Sequence, residues 1–392
     1  MAYSSITKPK NFFNTVLYTG NGSTQSITGV GFQPDWVWVK GRSVAAGHNL
    51  SDSARGINKQ LQTASTAAEE TLTTCVTAFD SDGFSLGSNG NVNTNSATFV
   101  AWNWLAGGTA PAITYVVKVV SDSGNKYRFD DFGTSAVTLD LQEGGTYTFD
   151  QSDSSNSGHP LRFYTASDKT GGEYTTGVTT TGTPGSSGAQ TVITVAASAP
   201  TLYYQCSNHA GMGGQANTNS TFGSSNFSGS IQSTVSAGIT QGMSIVSYTG
   251  TGSAATIGHS LNAVPAWYFI KQRNTTGGWI VYHKGNTSSP EKDYLRLDKT
   301  DATVDDAIFN DTAPTSSVFS IGTNAPVNTS GGTYIAYCFA DVKGYSKFGS
   351  YTGNGNADGT FCFTGFRPSF ILGTRTDSAG GWWAQASRNS RR

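Results

Sequence analysis

The chain has 392 residues, 48 of them glycine, with aromatic residues at 12%, charged residues at only 12% and a formal net charge of -1. That length exceeds one hydrophobic core, and that charge supplies no basic field to draw the chain to nucleic acid or an anionic membrane, so neither is expected as a partner. No run approaches the roughly 18 apolar residues of a membrane span, and residues 1–13 lack the apolar stretch of a secretory signal, so folding in a cytoplasm is expected.

After a short arm, residues 1–10, one phrase organises the chain. It pairs Tyr18-Thr19-Gly20-Asn21-Gly22 with Gly31-Phe32-Gln33-Pro34-Asp35-Trp36-Val37-Trp38. A second copy has Tyr248-Thr249-Gly250-Thr251-Gly252 and Pro265-Ala266-Trp267-Tyr268-Phe269, and a third has Tyr351-Thr352-Gly353-Asn354-Gly355 and Phe366-Arg367-Pro368-Ser369-Phe370. Each reads as strand, turn, strand: β-branched and aromatic residues flank glycines where a positive φ is allowed. Alternation after Pro34 sends Trp36, Trp38 and Lys40 to one face and Val37 and Val39 to the other, so this strand should be covered on both sides.

Residues 56–72, rich in Ala and Glu, are the one stretch expected to be helical. The first unit closes with Phe84-Ser85-Leu86-Gly87, Val92-Asn93-Thr94 and Phe99-Val100-Ala101-Trp102-Asn103-Trp104. The same ending returns as Phe319-Ser320-Ile321-Gly322, Val327-Asn328-Thr329 and Tyr334-Ile335-Ala336-Tyr337-Cys338-Phe339. Residues 11–108 and 228–343 are therefore two copies of one β domain. A partial third, residues 348–392, stops before the closing strands. Half a sandwich exposes an apolar face and an open edge, so this tail should pack on the preceding domain or on a neighbouring subunit.

Between the copies, residues 112–215 have a different pattern. Residues 115–120, 136–141, 146–150, 161–164, 191–195 and 201–206 read as the strands of another sandwich, and residues 213–230 as a Gly/Ser-rich linker. Four cysteines make no disulfide framework at this length. Cys75, Cys338 and Cys362 sit in apolar runs and read as small core residues. Cys206 instead opens a Cys206-x-x-His209-x-x-Met212 loop, with His159 in an upstream inter-strand loop. One thiolate, two imidazoles and a weak thioether form the soft donor set of a blue-copper site. Zinc held by Cys206, His159 and His209 is the lesser alternative.

This block resembles the cupredoxin family, in the short-loop manner of amicyanin. The resemblance implies a Greek-key sandwich and one type-1-like copper held by His159, Cys206, His209 and axial Met212. Gly158 stands where many members carry an Asn supporting the ligand loop, which leaves that support unassigned.

The flanking units, through residues 13–22, 31–40, 313–320 and 334–340, resemble Gly- and aromatic-rich β domains of marine bacteriophage virion structural proteins, with concanavalin or laminin-G type jelly rolls. The fold class expected is thus all-β, two jelly-roll or sandwich domains flanking a cupredoxin-like sandwich, plus a partial repeat. The resemblance implies a virion protein, tail fibre or head decoration, bound to other virion proteins and homotrimeric by analogy.

Enzymatic motifs are missing: there is no His-Glu-x-x-His and no Walker loop, and Gly83-Phe84-Ser85-Leu86-Gly87, which matches Gly-x-Ser-x-Gly, belongs to the closing β phrase and reads as no nucleophile elbow. The paired acids Asp80/Asp82 and Asp305/Asp306 read as solvated turns, and His48, His259 and His283 as ordinary polar residues. No enzyme activity is expected. Jelly rolls of this type often stack saccharides on aromatic side chains, which makes Trp279, Trp382 and Trp383 the candidates for a host-surface glycan. The competing function, from a different class, is a copper-binding redox or metal-storage protein with the flanking units as anchors.

Overall fold

The computed structural model describes residues 4, 6–108, 110–219 and 223–386. Parts of the N-terminal arm, of the expected linker at 213–230 and of the third copy therefore lie outside the described residues. The chain is all-β, as expected, and forms two compact units, one of Met1–Ala106 with Ala237–Arg392, the other of Gly107–Ser236.

The first copy runs β1 (Phe13–Thr19), β2 (Gln25–Thr28), β3 (Trp36–Gly41), β4 (His48–Asp52), β5 (Lys59–Gln62), β6 (Glu70–Thr71), β7 (Val76–Asp80), β8 (Gly83–Leu86), the single turn α1 (Gly90–Asn93) and β9 (Thr98–Trp104). One sheet has the order β1-β9-β3-β4-β5-β6 and the other β2-β8-β7. The stretch expected to be helical, residues 56–72, contains β5 and β6 instead. Leu61 is drawn into the core beside Leu50, and that tertiary burial overrides local Ala/Glu propensity.

In the second unit, β10 (Ala112–Ser121), β11 (Asn125–Phe129), β12 (Leu139–Gln142), β13 (Thr146–Asp150), β14 (Leu161–Tyr164), β15 (Val178–Thr181), β16 (Gln190–Thr194), β17 (Leu202–Cys206) and β18 (Gln215–Asn219) form a sandwich. Its sheets are β11-β10-β13-β16-β15 and β12-β18-β17-β14, the mixture including parallel β10·β13 and β12·β18 pairs. Aromatic and branched residues from both sheets fill its core. The described part of the expected linker carries strands: it contains β18 and β19 (Ser224–Asn226), which pairs with β20 (Ser233–Gly238). Polar Gln/Asn/Ser composition hid these strands.

The second copy has β21 (Met243–Thr249), β22 (Ala255–Gly258), β23 (Trp267–Gln272), β24 (Trp279–His283), β25 (Asp293–Arg296), β26 (Val304–Asp305), β27 (Val318–Ile321), α2 (Ala325–Asn328) and β28 (Thr333–Phe339). The order β21-β28-β23-β24-β25-β26 repeats that of the first copy, opposite a β22-β27 pair. The tail contributes β29 (Phe370–Gly373) and β30 (Trp383–Ala386), paired with each other.

Alternation along β3 falls as expected. Val37 and Val39 pack between the two sheets of their own copy. Trp36 and Trp38 point the other way, into an aromatic core built jointly by both copies and the tail, with Phe269, Tyr337, Phe348, Phe370 and Leu372. The three repeats are thus one unit rather than separate domains, and the tail packs on its own chain, the first of the two alternatives expected for it.

The joint core has a cyclic pattern. Trp36 of copy one meets Phe269, Tyr337 and Phe339 of copy two at ring separations of 6.0, 5.4 and 5.8 Å. Phe370, at the same position of copy three, meets Trp38, Trp102 and Trp104 of copy one, the matching residues, at 6.4, 5.3 and 5.5 Å. The outer seams repeat as well. Trp279 Nε1 donates to the Gln62 carbonyl and Trp382 Nε1 to the matching Arg296 carbonyl. Backbone pairs Gly277 N to Thr66 O and Glu69 N to Arg273 O recur as Gly380 N to Thr300 O and Thr303 N to Thr376 O.

Candidate metal centre

Two loops of the inserted unit bring the soft donors together. β17 ends at Cys206, fully buried in the sandwich core, and antiparallel pairing sets Leu161, the first residue of β14, opposite it. His159, two residues before β14, is thereby delivered to the same end of the sheet. Gly158 adopts φ +76° there, a left-handed turn position that explains glycine at that place.

Cys206 Sγ lies 3.4 Å from His209 Nδ1 and 3.8 Å from His159 Nδ1. One donor atom from each of the three residues falls within 4.8 Å of the others. Donors each 2.0–2.3 Å from one ion sit about 3.3–3.9 Å apart, so the Cys206 to His spacings suit a shared soft cation. The two imidazoles are 4.7 Å apart by ring centroid, His159 half-buried and His209 exposed. Burial, and then the neighbouring His209, pull the His159 pKa below its ordinary value, which favours the neutral ring a metal needs. Met212 is buried in the same core cluster as Cys206.

Most of the residues that hold these loops had no signal in the sequence. Asn208 Nδ2 donates to the Gly158 carbonyl and ties the Cys206 loop to the His159 loop. An amide from the Cys206 loop thus bridges the two loops, a link that Gly158 has no side chain to make. The His159 carbonyl accepts from Tyr127 Oη and Gln151 Nε2, both at 2.9 Å. Lys169 Nζ caps the carbonyls of Cys206 and Ser207. Such partners set the orientation of ligating groups. Only Asn208, lying inside the Cys-x-x-His spacing, could have been singled out beforehand.

The tryptophans expected to stack on saccharide are spread differently. Trp279 is fully buried with its indole N–H bonded to Gln62, which corrects its assignment as a ligand platform: it has no free face. Trp382 is partly buried in the joint core, and Trp383 is 44% exposed. Cys75 and Cys338 are buried as expected, whereas Cys362 is exposed, since among the described residues no sheet covers its segment.

Fold and site together define an all-β protein in which a repeat scaffold is interrupted by a sandwich carrying a soft His/Cys/His cluster. The chain belongs to the family described as Domain of unknown function (DUF7483), which matches residues 8–137 and 214–392. All four candidate ligands lie in the intervening stretch that the family does not cover. No curated protein and no solved structure matches the chain. Among the described residues, no helix is long and apolar enough to cross a membrane.

Proposed function

We propose that this chain is a structural protein of a virion surface, a tail fibre or head decoration, whose repeat scaffold carries an inserted module that binds one copper ion. The observation that carries the metal part is the convergence of Cys206 Sγ with His159 Nδ1 and His209 Nδ1 at the end of a sandwich. In this reading Cys206, His159 and His209 would hold the ion, with Met212 as a further weak thioether donor. A copper ion so bound would supply one-electron chemistry or tight metal retention. The residues of this chain bury the thiol, hold His159 neutral and tie the two loops through Asn208.

Support for the virion part comes from the sequence resemblance, and the repeats it covers share one aromatic core. The scaffold has no catalytic role in this reading. Host-surface glycan contact, if the scaffold makes it, falls to Trp383, with Trp382 beside it, and homotrimer assembly with other virion proteins follows by analogy.

Equilibrium dialysis of the purified chain against copper and, separately, zinc tests the first part. One equivalent of copper, lost in a His159→Ala/Cys206→Ala variant, is expected; no retention by the folded wild type would end that reading. Gold-labelled antibody against the chain should decorate intact particles from a phage lysate, and its absence from purified particles would end the virion reading. Trp383→Ala should abolish binding to host glycan; unchanged binding would remove the glycan role.

A further inference from the structure

Two lysines outside the donor set close on the loop that carries Cys206, His209 and Met212. Lys169 lies in the turn after β14, and Lys126 lies on β11. Lys169 Nζ donates to the carbonyls of Cys206, Ser207 and His209 at 3.2, 3.2 and 3.5 Å, one for each N–H of an ammonium. The backbone holds it there. Lys169 has φ +68°, a region that few residues other than glycine occupy, and its turn is closed by Lys169 N to Ala166 O and Gly172 N to Lys169 O. Lys126 Nζ donates to the Gly211 carbonyl, and the next residue, Tyr127, donates its backbone N–H to the Met212 carbonyl at 2.9 Å.

The acids around these two ammonium groups are engaged elsewhere. Asp168 gives its carboxylate to Thr170 N and Oγ1, Asp122 accepts from Ser135 Oγ, and Asp130 accepts from Val116 N. Arg162, beside Leu161 on β14, is paired with Glu173 at 3.6 Å and brings no net charge. The donor set itself carries one negative charge at most, the Cys206 thiolate, since the imidazoles ligate as neutral rings and a thioether is neutral. A monovalent ion on that thiolate makes a neutral pair. A divalent ion leaves one positive charge against a fully buried sulfur, on a loop already bonded to two cations, where burial and like-charge repulsion both oppose it.

We propose that Lys126 and Lys169 set the ion preference of the His159/Cys206/His209 cluster, favouring a monovalent soft ion, Cu(I) or Ag(I), over a divalent one. Neither lysine is a ligand. Their hydrogen bonds order the loop, which helps every ion alike, whereas their charge opposes an ion in proportion to its own charge. The thiolate and thioether donors act in the same direction, because soft sulfur selects Cu(I). For copper the reduced ion gains, so the lysines raise the reduction potential of the centre, by about 59 mV for each tenfold of preference in a one-electron couple. The inference rests on the metal reading of this cluster and adds to it which ion the cluster prefers and which residues decide.

The test uses the full chain and two redox-inert ions, Ag(I) and Zn(II), each titrated against a chelator of known affinity in chloride-free buffer. Lys169→Met and Lys126→Met keep the aliphatic stem and remove the charge; each should lower the ratio of Ag(I) to Zn(II) affinity about tenfold, and the double variant should lower it further. Lys169→Arg and Lys126→Arg, which keep the charge, should leave the ratio near the wild-type value. A purely structural role would weaken both ions together and leave the ratio alone. Both ions bound, with the ratio unchanged or raised in the two Met variants, would overturn this inference and leave the metal reading standing. A folded wild type that binds neither ion would overturn both.

Discussion

Asn93 and Asn328 sit in a phrase that repeats in the sequence without an evident purpose, and the structure supplies one. Both are fully buried, and each spends its amide on two carbonyls and its oxygen on a backbone N–H. A buried group left unsatisfied costs about 1–3 kcal/mol, so Asn93→Ala, which orphans several at once, should lower unfolding free energy by about 3 kcal/mol in denaturant titration. A change below about 1 kcal/mol would mean that these bonds are ornamental. His259 belongs to the same scale. Its Nδ1 accepts from Leu261 N while Nε2 faces the Thr315 carbonyl, an arrangement that suits the neutral ring. Burial lowers its pKa from 6.5 to about 4. The unfolded state then binds the extra proton, so stability is complete above pH 6.5 and falls as pH drops from 6.5 toward 4, by roughly 3 kcal/mol if His259 acts alone. Thermal melts across that window should show the loss, and His259→Gln should reduce it by the His259 share only, because burial lowers His48 and His283 to about 4 as well. At this scale the sequence made the metal donors readable because Cys, His and Met at loop spacing have few other readings. It left Trp279 misread, since a tryptophan after two glycines looks the same whether its face is free or covered.

Elements were legible where apolar alternation was strong and illegible where the neighbourhood decided. β3, β13, β14 and β17 follow from their own residues. β5 and β6 do not, because the strand state of residues 59–71 depends on Leu61 entering a core that copy two helps to build. The same segment makes the seam between copies. Arg55 is fully buried and bonds Asp52 at 2.5 Å and Glu69 at 3.1 Å, while Arg273 from copy two grips Glu69 through two bonds of 2.9 and 3.0 Å. Tyr337 donates to Asp52 in the same network. Burial alone would raise the Glu69 pKa, but hydrogen bonds and charge from Arg273 and Arg55 outweigh it and hold it below 4.5. Its contribution is therefore present above pH 4.5 and is lost as pH falls below that value. Removing one member of a buried ionic set leaves the others uncompensated, at about 3 kcal/mol. Glu69→Gln should lower the melting temperature at pH 7 and reduce the acid sensitivity below pH 4.5; an unchanged melt would show that the seam is held by its aromatic core alone.

The whole molecule is a repeat scaffold with one interruption. Duplication was readable from recurring phrases, and so was the insert, as a change of pattern. The cyclic relation of the three repeats was not, because it depends on contacts such as Phe370 with Trp102 and Trp382 with Arg296, between residues far apart in the chain. The family match covers the scaffold and both ends of the inserted unit and skips the candidate ligands, so the metal centre is the part of this chain that its family membership says least about. The most direct measurement of the central claim is therefore a visible absorption spectrum of the full chain before and after one equivalent of Cu(II). An intense thiolate-to-copper charge-transfer band that vanishes on reduction, returns on reoxidation and is missing in Cys206→Ser is the predicted result. A colourless chain, folded and with its Cys206 thiol reduced, would contradict it.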